Sequence, residues 1–156
     1  MELLSLRGAA VAAALIAGTV AVHGAGTFSL VWVFRKNRSE NLPRQAGYGL
    51  LIGVLTWVVF ALLFLHMLEC ALWAAFYFVA GCFANGHDAI YFSLITYATV
   101  GYGDLVLSKE WRLYGGVEAL AGVMMLSWST AILITLLQWV YSRLQERWRV
   151  ESQTSS

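Results

Sequence analysis

Thr99, Val100, Gly101, Tyr102, Gly103 and Asp104 stand in one run whose backbone, more than its side chains, is suited to chemistry. A cation gives up its water only where oxygens of similar number and field strength replace it, and consecutive carbonyls aimed at one axis supply them. Turning successive carbonyls to one side sends alternate residues toward positive φ. Glycine reaches that region without steric cost, and Gly101 and Gly103 have the required spacing. Thr99 adds a hydroxyl at the inner end of the row. The same residues also suit a hairpin turn, so the surrounding elements must decide.

The second group with chemical capacity is His66, Glu69 and Glu118, each inside an apolar stretch. A charge at the centre of a bilayer costs about 2.5 to 3.5 kcal/mol even on lenient insertion scales, so these residues are expected to face protein rather than lipid. His66 and Glu69, three apart, share one helical face and can reach each other or a partner on a later helix. Two readings follow: a proton-sensitive latch with Glu118 as partner, and a neutral hydrogen-bonded packing cluster, the reading preferred here. His23 is solitary in its own apolar stretch and reads as a structural or interface residue rather than a metal ligand. An intramembrane metalloenzyme built on His66, Glu69 and Glu118 is the alternative from another class. No second histidine lies near His66 in sequence, and common zinc spacings are absent.

The elements that must hold these residues are membrane helices. The chain is 60% hydrophobic and 12% charged, with a mean hydropathy of +0.68, a balance suited to lipid as solvent. A formal net charge of +1 suggests no nucleic-acid partner. Residues 8–34 hold no Asp, Glu, Lys or Arg, and a bilayer core needs only about 20 helical residues. The stretch from Gly47 to Cys82 exceeds one straight span and reads as an interfacial start near Tyr48 followed by a helix from Ile52 to Val79. A third span, Leu113 to Tyr141, is opened by Trp111 and Arg112 and closed by Trp139, Tyr141 and Arg143, the pattern of interfacial belts. Between the second and third spans, Asp88 to Ala98 is too short to cross but suits a half-length helix capped by Asp88, its negative dipole end directed at Thr99. Irregular backbone at membrane depth is tolerated only when buried in protein or lining an aqueous cavity, which favours a pore over a hairpin.

The order helix, short helix, Thr-Val-Gly-Tyr-Gly-Asp, helix resembles the pore module of the potassium-channel superfamily, over about Ile52 to Tyr141. Small bacterial members with His-x-x-Glu in the outer helix and Ala-x-Tyr-Phe-Ser before the filter are the nearest likeness, here His66 and Glu69 and residues 89–93. The resemblance implies an all-α membrane protein and a homotetramer, since the chain carries one filter segment and the pore needs four. It makes Thr99, Val100, Gly101, Tyr102 and Gly103 the ion-binding carbonyls, with Asp104, Tyr91, Phe92 and Ile95 as filter support and Gly122 as a hinge in the inner helix, a position that a helix-packing glycine would fill equally well. Three departures stand out: Ala98 where many members have a second threonine, Tyr91 and Phe92 where a Trp pair is common, and Ile95 where some bacterial relatives place a glutamate. Selectivity is therefore expected to be softer, and Asp104 must find another partner. Ser127, Ser129 and Thr130 either face the cavity or bond back to the preceding turn.

These readings give an N-terminal helix over 1–34, a basic cytoplasmic loop over 35–46, a pore module over 47–142 and a cytoplasmic tail over 143–156. Within the module lie an outer helix 47–82, a pore helix 88–98, a filter 99–104 and an inner helix 113–142. The expected function is a passive potassium-selective channel, with a weakly selective cation channel as the nearest rival; no enzymatic activity and no cofactor beyond the permeating potassium are expected. Partners are the bilayer and other copies of the chain. Arg35, Lys36, Arg38 and Arg44 on one loop, and Arg143, Arg147 and Arg149 after the third span, set both on the cytoplasmic side of the inner membrane. The N-terminus then lies outside. The first helix has no repeated Arg, so it is not a voltage sensor. Its series Ser5, Ala9, Ala13, Ala17, Ala21, Ala25 and Ser29 would let another helix approach closely.

Overall fold

The computed structural model describes residues 5–37 and 48–154. Four helices follow one another: α1 (Leu6–Asn37), α2 (Tyr48–Val79), α3 (Gly86–Tyr97) and α4 (Arg112–Thr154). No strand occurs among the described residues. Three helices contain stretches long and apolar enough to cross a membrane: Leu6–Val33, Ile52–Val79 and Arg112–Trp139. The chain is thus an all-α, multi-pass membrane protein. Aromatic and aliphatic side chains such as Phe28, Trp57, Phe60, Phe64, Leu120 and Met124 point outward, as a lipid-facing or protein-covered surface requires.

Several boundaries differ from the sequence reading. α1 runs on to Asn37, taking in the start of the expected basic loop, while Arg38 and Arg44 lie outside the described residues. α4 is continuous through Thr154, so the segment set apart as a tail extends the third spanning helix; at 1.5 Å per residue its 43 residues span about 64 Å, well beyond a bilayer core of about 30 Å. Asn85, not Asp88, caps α3: its side chain accepts from the Asp88 backbone N–H at 2.8 Å and donates to the Asp88 carboxylate at 2.9 Å. Asp88 sits in the first turn, where a carboxylate still favours the positive end of the helix dipole.

α1 packs against α2 in the opposite direction. The Tyr114 hydroxyl at the head of α4 donates to the Gly8 carbonyl, the Trp73 indole donates to the Thr19 hydroxyl at 3.0 Å, and Leu30 packs with Val58 and Leu62. Its buried face is therefore Ala12, Thr19, His23, Thr27 and Leu30. The small-residue series from Ser5 to Ser29 stays exposed, because hydrogen-bonding partners on α2 and α4, rather than close backbone approach, set the docked face. α3 lies against α2 and α4, around a core of Trp73, Tyr77, Phe92, Tyr97 and Tyr114 that Ala12 of α1 completes. Phe92 stacks edge-on to Tyr77, ring centroids 5.3 Å apart, and also meets Phe83 at 5.2 Å.

Candidate functional site

The segment after α3 is held by the last turn of that helix. Ala98 donates back to Leu94, and the backbone N–H groups of Val100 and Gly101 both donate to the Ile95 carbonyl, at 2.8 and 3.1 Å. Ile95 thus supports this segment through its backbone, a role its buried apolar side chain does not reveal. From there φ alternates: Thr99 at 59°, Gly101 at 50° and Gly103 at 80° are positive, while Val100 and Tyr102 are not. Thr99 is the only non-glycine residue with positive φ among the described residues, a conformation uncommon for a β-branched side chain. All of residues 98–104 are exposed, including half of Val100 and three quarters of Tyr102.

Asp104 finds its partner in Tyr91, whose hydroxyl donates to the carboxylate at 2.7 Å. That hydrogen bond holds the Asp104 carboxyl below its usual value of 3.8 and raises the Tyr91 hydroxyl. Because the folded value is depressed, the bond's contribution is present above pH 3.8 and lost as pH falls through the folded value. Tyr91→Phe should therefore speed amide hydrogen exchange over residues 102–106 at pH 7. Acidification should bring the wild type toward the variant. Equal exchange at pH 7 would mean that the bond does not order the segment.

Gly122 is buried where α4 meets the end of α3. A Cβ at this position would fall on the Tyr97 carbonyl oxygen, with the Tyr97 ring at 3.1 Å, so close approach of backbone to backbone accounts for the glycine. Ser127 and Thr130 bond back to Val123 and Leu126, at 2.7 and 2.9 Å, the local pattern of hydroxyls within a helix.

The buried polar residues fall into two groups, and the expected trio of His66, Glu69 and Glu118 is divided between them. Glu118 accepts from Tyr77 at 2.7 Å and from Ser93 at 2.5 Å, and Ser93 also contacts the Cys70 carbonyl at 2.8 Å. This group ties α2, α3 and α4 together. Glu69, fully buried, instead joins His66 Nδ1 at 3.0 Å and His23 Nδ1 at 2.7 Å, and accepts a hydrogen bond from Tyr97. The Ser129 hydroxyl meets Nε2 of both histidines, at 3.0 Å for His66 and 3.5 Å for His23.

His23 is thus no solitary structural residue. One ligand atom from each of His23, His66 and Glu69 can be chosen so that all lie within 4.8 Å of one another, a donor set able to hold a metal ion. This corrects two expectations, that the chain has no enzymatic role and that it takes no cofactor: a buried His/His/Glu set brings metal binding, and chemistry dependent on it, into the account. Sequence proximity hid His23, which lies on another helix. Thr19, His23 and Thr27 do recur at four-residue intervals in an otherwise apolar span, a polar stripe that signals a buried partner.

Fold and site together define a helical membrane protein whose irregular segment after α3 and buried polar groups lie between its spans. A family profile described as "Ion channel" matches residues 51–139, more than half of the chain, and the protein belongs to that ion channel family. No curated protein and no solved structure matches it.

Proposed function

We propose that the protein is a subunit of a homotetrameric cation channel that passes potassium through the backbone carbonyls of Thr99, Val100, Gly101, Tyr102 and Gly103. The observation that supports this reading is the alternation of positive φ at Thr99, Gly101 and Gly103, the pattern that a row of carbonyls aimed at one axis would require. In this reading α2 is the outer helix, α3 the pore helix, α4 the inner helix, and the exposed Val100 and Tyr102 become covered when four copies surround one axis. Tyr91, Asp104, Phe92 and Ile95 support the filter from behind and below. Potassium and sodium fluxes compared in liposomes test the reading: potassium uptake well above sodium supports it, equal uptake replaces it with a weakly selective channel, and no uptake of either removes it.

The His23, His66 and Glu69 set favours a second reading, an intramembrane metal-dependent activity. Three protein ligands leave a fourth position open, the arrangement of catalytic rather than structural zinc sites. The ligand set differs from the one expected from sequence, with His23 in place of Glu118. A stoichiometric transition ion in the purified protein, together with no flux of either cation, would select this reading over the channel.

The topology proposed is an external N-terminus and a cytoplasmic C-terminus. The Tyr114 contact with Gly8 supports it, since α1 then begins on the side where the filter segment leads into α4. With Cys70 and Cys82 replaced, an impermeant thiol reagent should label a cysteine at Ser5 in intact cells and reach one at Ser152 only after lysis. The reverse pattern would invert the assignment.

A further inference from the structure

We infer that His23, His66 and Glu69 bind one late first-row divalent transition ion per chain, such as zinc, and that this ion clamps α1 to the rest of the bundle. The inference deepens the metal reading of this cluster but is compatible with the channel reading, since it concerns how α1 is held. His23 belongs to α1, His66 and Glu69 to α2, Tyr97 to the end of α3 and Ser129 to α4. Every helix therefore reaches the cluster. The donors are two imidazole nitrogens and a carboxylate, a set that suits zinc, copper, nickel or cobalt better than the all-oxygen preference of magnesium or calcium.

The surroundings of the donors point the same way. Nδ1 of both rings faces the Glu69 carboxylate, at 2.7 Å for His23 and 3.0 Å for His66, while the Ser129 hydroxyl lies against both Nε2 atoms. With an ion held between the two Nδ1 atoms and the carboxylate, the Nε2–H groups would donate to the Ser129 oxygen. Tyr97 keeps its bond to the carboxylate. Hydrogen-bonded outer partners of this kind fix the tautomer and orientation of ligating histidines and carboxylates. The ion's charge also offsets that of Glu69 in a cluster where Glu69 and His23 are fully buried and His66 is 7% exposed.

The test uses the full-length protein in detergent and in liposomes, with zinc and cobalt as probes. Wild type should retain about one zinc per chain after dialysis and give the intense visible bands of a low-coordinate cobalt site. Hydrogen exchange over residues 19–27 should slow when metal is added and recover with a chelator. His23→Gln and His66→Gln should abolish these responses. Ser129→Ala should weaken zinc binding about tenfold to a hundredfold, the usual effect of losing an outer partner. His87→Gln, an exposed histidine outside the cluster, should leave them intact. Absence of zinc uptake by wild type, or uptake unchanged in both His23→Gln and His66→Gln, would overturn the inference. Potassium flux, measured on the same preparations, judges the channel reading separately, and elution volume with far-ultraviolet circular dichroism shows that the glutamine variants are folded.

Discussion

Gly101→Ala should reduce potassium flux in liposomes to the level of empty vesicles while the variant assembles as wild type does. Gly101 holds φ at 50°, and an L-residue with a side chain in the left-handed region costs about 1 to 2 kcal/mol. A Cβ there meets nothing within 4 Å in the protomer, so the effect is conformational and not a clash. The alanine relieves the strain by returning to negative φ, which swings one carbonyl away from the axis. In the proposed tetramer that loss occurs in all four copies at once. Thr99 already holds φ at 59°, and the adjoining turn has its strain fixed by Val100 and Gly101 donating to Ile95. Gly116→Ala serves as the control: it lies in α4, exposed, with nothing near its Cβ, and alanine is a better helix former there. Undiminished potassium flux in Gly101→Ala would remove the filter from the account, whereas loss of flux in both variants would point to a general defect.

The membrane spans were legible because long absences of charge leave little freedom in reading them; their ends were not. Helix termini depend on caps, and α3 takes Asn85 where the sequence reading had Asp88; the two bond to one another. The positive φ of Gly101 and Gly103 follows from residue type, whereas that of Thr99 runs against the preference of a β-branched residue and is a property of the segment as a whole. The buried polar groups were half legible. Their cost in a membrane marks His66, Glu69 and Glu118 as partnered, but which partner each has depends on the level at which α1 and α4 pass α2. That level pairs Glu118 with Tyr77 and Ser93, and Glu69 with His23 and Tyr97. Neither pairing leaves a local spacing in the chain.

Gly122→Ala should lower the thermal stability of the assembled protein and impair flux together. The atoms that a Cβ would strike include the Tyr97 carbonyl, and backbone cannot swing aside as the end of a flexible side chain can. Relief requires α4 to move from α3 or Tyr97 to move from α4. Tyr97 is tied to Glu69 through its hydroxyl and lies two residues before Thr99, so either movement disturbs the buried carboxylate and the start of the proposed filter. Overpacking of this kind costs about 1 to 3 kcal/mol, against which the gain in helix propensity from Gly to Ala returns at most about 1 kcal/mol. A glycine kept for bending predicts a different result. Alanine would then leave the melting midpoint unchanged or raised, with only the open fraction altered. Thermal unfolding of Gly122→Ala beside Gly116→Ala separates the two, because both gain the same propensity and only the first meets backbone. A lower midpoint for Gly122→Ala alone assigns the glycine to the α3–α4 contact, and equal midpoints assign it to the hinge.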